Sequence, residues 1–277
     1  MTRKISILIA HYNNGKYFKQ CYTSLIDQSY TNWEAIIVDD CSTDNSVEII
    51  KQLIKGNIKF LLVENAENKG CGFTKRKCLE YASGDICAFL DPDDALYASA
   101  LEASIRQYEQ SKNIVCTYSK MMLCDENLNA QKVFPQTKQI YNNDLFFNCP
   151  IQITHFFTFK KKIYDKTSGI NPNLRTAVDQ DLYLKILEHG NAKFIKQTLY
   201  KYRLHDNGIS QNKGKADAKK SFGLVIHDSL KRRKIKYINQ NKVPYTFTNP
   251  EEIFLLLDYQ TTVLYRLKLK LMVLLQA

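Results

Sequence analysis

The 277-residue sequence has no CxxC pair, no apolar run near the roughly 18 residues a membrane span needs, and no internal repeat or low-complexity linker. Each absence excludes something. Eight cysteines with neither a CxxC pair nor a His-rich neighbour offer no zinc site and no disulfide frame. Several lie in apolar stretches such as Ile86-Cys87-Ala88-Phe89-Leu90, where a reduced thiol behaves as a small hydrophobe. After Arg3 and Lys4 the first apolar run ends within about six residues at His11-Tyr12-Asn13-Asn14, too soon for a signal-peptide core. A chain that stays in the cytoplasm is expected. The turn His11-Tyr12-Asn13-Asn14-Gly15 is also not the glycine-rich phosphate loop usual in a nucleotidyltransferase.

An excess of positive charge is missing from the first two-thirds. Residues 1–190 carry 22 Lys+Arg against 22 Asp+Glu, and residues 191–277 carry 17 against 6, so the tail holds the whole net charge of +11. A neutral body with a basic tail fits an enzyme that touches an anionic surface better than a nucleic-acid reader. The densest cationic run, Lys231-Arg232-Arg233-Lys234, has no interleaved aromatic to stack a base, so no nucleic-acid partner is expected. What is plentiful is core material: 44% apolar residues with 17 Tyr and 14 Phe, enough for one large α/β domain and appendages.

Apolar β-rich runs alternate with helical spacing. Ile5 to Ala10, Ala35 to Val38, Lys59 to Glu64 and Ile86 to Leu90 read as strands. Tyr17 to Gln28, Ser46 to Ile54 (with Asp44 placed to cap it) and Gly72 to Ala82 read as helices. That alternation predicts a mostly parallel sheet with helices on both faces, in which ligands bind at the carboxyl ends of the strands. Those ends are His11-Tyr12-Asn13, Asp39-Asp40 and Asp91-Pro92-Asp93-Asp94, so the polar residues converge on one rim. Later, Ala98 to Gln110 reads as helix and Ile114 to Cys124 and Thr154 to Phe159 as strands. Asp179 to His189 is an amphipathic helix stopped at Gly190, and Ala216 to Asn239 reads as one or two basic helices.

Three carboxylates at Asp91, Asp93 and Asp94 repel one another unless a cation is present, and oxygen-rich clusters suit Mg²⁺ or Mn²⁺ shared with substrate phosphates. A solvated turn started by Pro92 is the plainer alternative. A carboxylate at the Asp39-Asp40 strand end can accept from a base N–H or a ribose hydroxyl. A cation among Lys75, Arg76 and Lys77 can meet a diphosphate, unless it is a solvated helix face.

Together these segments resemble family 2 glycosyltransferases of GT-A fold. The resemblance runs through the opening strand into His11-Tyr12-Asn13-Asn14, Ile37-Val38-Asp39-Asp40-Cys41-Ser42-Thr43-Asp44, Asn68-Lys69-Gly70 leading to Arg76, and Phe89-Leu90-Asp91-Pro92-Asp93-Asp94. It continues in Val178-Asp179-Gln180-Asp181-Leu182 and in Tyr200-Lys201-Tyr202-Arg203-Leu204-His205 followed by Ile209-Ser210, and spans roughly residues 3 to 211. It implies a GT-A, Rossmann-like fold and an inverting transfer from a nucleotide-diphosphate sugar, UDP-linked, to a glycan or lipid-linked acceptor in surface polysaccharide synthesis. Ala10, Tyr12, Asn13, Asp39, Asp40, Arg76, Asp91 and Asp93 would border the nucleotide, with Asp40 at the base, Tyr12 stacking and Arg76 at the diphosphate. Asp93, Asp94 and His205 would hold Mg²⁺ or Mn²⁺, and Asp179 would deprotonate the acceptor. Three positions depart from the family pattern: Val178 where Glu is frequent, Lys77 where Asn is, and Ala10 where Thr or Ser is. The first leaves Asp179 and Asp181 both open as the base. Asp181, followed by apolar Leu182, reads as a surface acid, and Asp179 is favoured.

The implied domains are a catalytic unit over 1–211, with a nucleotide half (1–95) and an acceptor half (96–211), and a basic, helical extension over 212–277. Ile253 to Leu275 is apolar but broken by Asp258, Arg266, Lys268 and Lys270, a poor membrane span. It reads either as an interfacial element on anionic lipid at the inner face of the membrane, or as a helix packed on the catalytic unit with a solvated basic face. The alternation from Arg266 to Leu271 also permits a strand. Two rival functions stand beside the transferase: a nucleotidyltransferase, and a catalytically silent nucleotide-sugar-binding protein of the same fold.

Overall fold

Side chains of the first strand alternate between two cores. In the computed structural model, which describes residues 3–205 and 215–275, β1 (Ile5–His11) lies between β2 (Trp33–Asp39) and β4 (Ile86–Phe89), parallel to both, with β3 (Phe60–Glu64) beyond β2. Ile5, Ile7 and Ile9, with Ala35, Ile37 and Ala88, enter one core with residues of α1 (Gly15–Ile26), α2 (Ser46–Ile54) and α4 (Ala100–Gln110). Leu8, Ile36, Val38, Cys87 and Phe89 enter the other, with α3 (Cys71–Tyr81), α6 (Val178–Leu187), α7 (Lys215–Arg232) and α8 (Pro250–Leu257). Burial on both faces is why these strands are continuously apolar. Each fully buried Ile or Leu contributes about 1.5–3 kcal/mol, which fixes the register.

The sheet continues through β5 (Ala95–Leu96), β6 (Ile114–Cys124), β7 (Ala130–Val133), β8 (Thr158–Lys160) and β9 (Asn191–Arg203), in the order β3-β2-β1-β4-β8-β6-β9-β5 with β7 on β6. The expected parallel pattern holds for the first four strands. The second half is mixed: β8 runs antiparallel to β4 and β6, and β5 to β9, while β6 and β9 are parallel. The strand expected over Thr154 to Phe159 is shorter and later, and the short helix α5 (Lys161–Tyr164) follows it directly. All eight cysteines are unpaired, and five of them are buried.

The expected basic helices over 216–239 are one helix, α7, followed by a hairpin of β10 (Tyr237–Ile238) and β11 (Asn241–Lys242). Lys234 in the left-handed region (φ +57°) ends the helical path, and Asn239 and Gln240, both at positive φ, form the two-residue turn. Val225, Ile226, Leu230, Ile253 and Leu257 share a core with the sheet, so residues through α8 are built into the body. The final segment is a helix, α9 (Val263–Leu275), with none of its residues buried. The boundary expected at residue 211 falls outside the described residues, as does Ile209-Ser210 of the closing motif.

Candidate active site

The carboxyl ends of β1, β2 and β4 open into a cavity of about 710 Å³, within the range of small-molecule sites. Ala10, Tyr12, Asn13, Asp40, Asp91, Asp93, Asp94 and Asp179 all border it. Asp39, Arg76 and His205 do not.

The nucleotide side is set by backbone conformation. Asp40 donates its N–H to His11 O (2.8 Å), locking the two strand ends together. Its side chain is buried and accepts from Asn65 Nδ2 (2.8 Å), Lys69 N (2.9 Å) and Gly70 N (2.7 Å). Asp40 therefore borders the cavity while anchoring the loop into α3. Gly70 is at φ +89°, where an L side chain is strained, and Gly72 packs so closely that a Cβ would lie 2.5 Å from the carbonyls of Asn171 and Leu174. Lys77, one of the departures, donates to Asn65 Oδ1 (2.7 Å) and so braces that anchor. Tyr12, 43% exposed at the mouth, leaves an aromatic face free.

Asp39 was expected beside the base and is instead internal. Its oxygens meet His11 Nδ1 (2.8 Å) and the Ser42 N–H (2.8 Å) and hydroxyl (2.5 Å), and it is 1% exposed. Burial pushes its carboxyl up, but the bonds from His11 and Ser42 outweigh that and hold it below the usual range. Its position at the end of β2, opposite His11 across the ladder, aims it into the protein.

Arg76 is a second correction. It is exposed and donates to the carbonyls of Ile170 (3.1 Å) and Ser168 (3.4 Å), away from the cavity. The preceding residue, Lys75, occupies the inward position. Its ammonium lies 2.8 Å from Asp179 Oδ1 and 3.2 Å from Asp91 Oδ1, with the side chain 5% exposed. Burial lowers its proton affinity, yet Asp179 and Asp91 outweigh that and raise it well above the ordinary range. The sequence carried this signal: Cys71, Thr74, Lys75, Cys78 and Leu79 lie on one helical stripe, and Arg76 lies off it.

The acidic rim is asymmetric. Asp94 is 1% exposed, and both its oxygens are occupied, Oδ2 by the Tyr200 hydroxyl (2.7 Å) and Oδ1 by the Arg203 N–H (2.8 Å). Burial first, then the charges of Asp93 and Asp91, drive its carboxyl well above its ordinary pKa. It borders the cavity and ties the closing strand β9 to the acidic turn. Asp93 instead faces His205, Oδ2 to Nε2 at 2.7 Å, and among the described residues His205 Nδ1 is buried without a partner. No group of three or more His, Cys, Asp or Glu side chains encloses a metal position among the described residues. A divalent cation held by one or two protein ligands and completed by phosphate oxygens and water needs no such cage. Asp93 and His205 fit that requirement.

Asp179 is the second residue of α6, whose N-cap, Ala177, is in the left-handed region (φ +55°), a conformation costing about 1 kcal/mol for a non-glycine residue and turning Asp179 towards the cavity. One oxygen meets Lys75, and the other lies 3.6 Å from His155 Nε2, whose ring stacks on Tyr200 at 4.8 Å. Burial pushes the carboxyl up, while Lys75 and then His155 outweigh it, so Asp179 sits below its ordinary pKa. Asp181 is no surface acid. It is 2% exposed, bonded to Lys185 (2.8 Å) and to the Asn171 N–H (2.8 Å), and faces away from the cavity. His155 carries no sequence motif of its own; only the fold brings it to Asp179.

Comparison with known proteins gives the family and the fold. Residues 6–168 match Glycosyl transferase family 2. A putative teichuronic acid biosynthesis glycosyltransferase of Bacillus subtilis is 34% identical over 229 residues, covering 79% of this chain and 85% of that protein. The UDP-Glc:alpha-D-GlcNAc-diphosphoundecaprenol beta-1,3-glucosyltransferase of Escherichia coli is 32% identical, covering 76% and 81%. Other curated relatives are longer, and the chain spans only 24 to 33% of the length of three polysaccharide synthases. S. aureus TarS 1-349, solved in complex with UDP-GlcNAc, superposes with a TM-score of 0.68 at 17% identity, over 92% of this chain and 70% of that one.

Proposed function

The chain belongs to glycosyltransferase family 2, with a GT-A fold, and from that premise we propose that it transfers a sugar from a UDP-linked donor to a glycan or lipid-linked acceptor with inversion, in surface polysaccharide synthesis. One observation carries the reading: Asp179 faces the acidic turn Asp91–Asp94 across one cavity, with Lys75 between them. Asp179 takes the proton of the acceptor hydroxyl as that oxygen attacks the sugar from the side opposite the leaving diphosphate, and a single displacement inverts the anomeric centre. No separate nucleophile is required. Tyr12 offers a face to the base, Asp40 shapes the wall behind it, and Lys75 meets the diphosphate. Bound at Asp93 and His205, Mg²⁺ or Mn²⁺ would offset the charge growing on the leaving group. The relatives' names support the donor and acceptor classes, a UDP-sugar and a lipid diphosphate in the Escherichia coli enzyme. We further propose the division into a nucleotide half, 1–95, an acceptor half, 96–211, and an extension from 212.

Calorimetric titration with UDP, with and without Mn²⁺, tests this. Binding is expected to require the metal, to weaken at least about tenfold in Asp93→Ala, and to survive in Arg76→Ala. No heat from the wild-type protein in either condition would reject UDP as the nucleotide.

The acceptor reading places the chain on an anionic membrane through α9. No described helix is long and apolar enough to cross a membrane. Leu264, Leu267, Leu271, Leu274 and Leu275 are 55–81% exposed along one arc of α9, flanked by Arg266, Lys268 and Lys270. The helix contains no acidic residue, so self-pairing would set like charges together, whereas anionic headgroups would neutralise them. Much of the Lys231–Lys234 run is not available: Arg232 and Arg233 pair with Glu188, and Arg233 also bonds the carbonyls of Asp144 and Phe146. Co-sedimentation with phosphatidylglycerol-containing vesicles is expected to exceed that with pure phosphatidylcholine and to fall with salt. Leu267→Glu/Leu271→Glu is expected to cut it at least about tenfold, and equal binding to both vesicle types would end the membrane reading.

A further inference from the structure

Lys75 bonds the residue that would accept the proton and the turn that would meet the leaving group. Its ammonium is 2.8 Å from Asp179 Oδ1 and 3.2 Å from Asp91 Oδ1, and sits over Phe89, 5.1 Å from the ring centroid. The side chain is almost fully enclosed, yet the residue borders the cavity. An ammonium at hydrogen-bond distance stabilises the ionised carboxylate, and a carboxylate so paired is a weak base. Five carboxylates, Asp40, Asp91, Asp93, Asp94 and Asp179, border the same cavity, and Lys75 is the cation seated between two of them.

Resting on the nucleotide-sugar reading above, we infer that Lys75 is a donor-operated latch on the base: it holds Asp179 while the site is empty and turns to the diphosphate when the donor enters. A diphosphate seated against the Asp91–Asp93 wall competes for the same ammonium with more negative charge than one carboxylate carries. Once the ammonium is drawn away, Asp179 becomes basic at the moment the sugar is in place. Before that it is a poor acceptor of a proton from water. The latch thus favours donor before acceptor. Lys75 is a positioning residue towards the base, acting through Asp179.

Among the described residues, the groups that face Asp179 are few. Lys75 and Cys71 come from α3, Asp91 from the end of β4, His155 from the segment before β8, and Tyr183 from its own helix. Withdrawal of the Lys75 ammonium towards the donor leaves burial acting against the charge of Asp179, with His155 at 3.6 Å as its remaining ion-pair partner among the described residues. Its folded-state pKa then rises, and at mildly acidic pH the carboxyl takes up a proton when the donor binds.

Proton uptake on binding needs no turnover to measure. UDP with Mn²⁺ is titrated at pH 5 into the wild-type protein, Asp179→Asn, Lys75→Met and Lys75→Arg, each in two buffers of different ionisation enthalpy. Protonation changes of UDP itself are common to all four. The wild type is expected to take up roughly 0.3–0.5 proton per UDP more than Asp179→Asn, an excess gone by pH 7. Lys75→Met should lose the excess, and Lys75→Arg should restore part of it. UDP binding with the same proton count in wild type and Asp179→Asn would overturn the latch, and that comparison stands even where Lys75→Met does not fold. Failure of UDP to bind at all is a different result, which removes the donor reading and the latch with it.

Discussion

Asp179→Asn is expected to lower sugar transfer about 10³-fold, the scale of a lost general base, while UDP–Mn²⁺ binds no more weakly than to the wild type. The substitution keeps shape and keeps a carbonyl oxygen for the Lys75 ammonium, so the wall of the cavity is preserved. What goes is the ability to hold the acceptor's proton. The pH profile separates this from a packing effect. In the native protein Asp179 lies below its ordinary pKa, so the base is ionised at neutral pH, and the rate falls as pH drops through that depressed value. Donor binding moves that limb upward if the latch operates. Residual activity in Asp179→Asn should lack the limb altogether. An unchanged transfer rate would give the base to another residue, and unchanged donor hydrolysis would revive the idea of a silent binding protein.

The fold was legible where local pattern and tertiary role coincide. Ile5 to Ala10, Ala35 to Val38 and Ile86 to Leu90 are buried on both faces, and such strands show as unbroken apolar runs whatever surrounds them. The ends of those runs carry the polar rim, so Tyr12, Asp40, Asp91 and Asp93 could be placed on one cavity before any coordinates, whereas Asp179, which also borders it, came from the family resemblance. The family match removes the nucleotidyltransferase alternative. Side-chain direction was less legible. Asp39 and Asp40 are adjacent, but only the ladder opposite His11 decides that the first turns inward. Asp93 and Asp94 present the same ambiguity, and it is β9, a hundred residues on, that claims Asp94 through Tyr200 and Arg203. Between Lys75 and Arg76 the helical stripe did hold the answer, because a lysine amid Cys71, Thr74, Cys78 and Leu79 is buried and must find partners. His155 was beyond reach, since the strand read over Thr154 to Phe159 begins only at Thr158 and its alternation does not extend to His155.

Asp181 supplies the sharpest contrast with Asp179, two residues away. Asp181→Ala should leave UDP affinity unchanged and cost about 3–5 kcal/mol of folding stability, the scale for removing one partner of a buried ion pair. Lys185 is as enclosed as Asp181, donates to it at 2.8 Å, and also donates to the Gly169 carbonyl at 2.7 Å, while Asp181 receives the Asn171 N–H. Truncation thus leaves an unpaired ammonium and an unpaired backbone N–H inside the protein. For a domain of this size, differential scanning calorimetry should show a midpoint lower by roughly 10 °C. The double variant Asp181→Leu/Lys185→Met should recover only part of the loss, because the Asn171 N–H and Gly169 C=O remain without their partners. Full recovery would mean the pair contributes charge alone. A drop in transfer rate at unchanged stability would move Asp181 from the scaffold into the chemistry, and with it the choice of base.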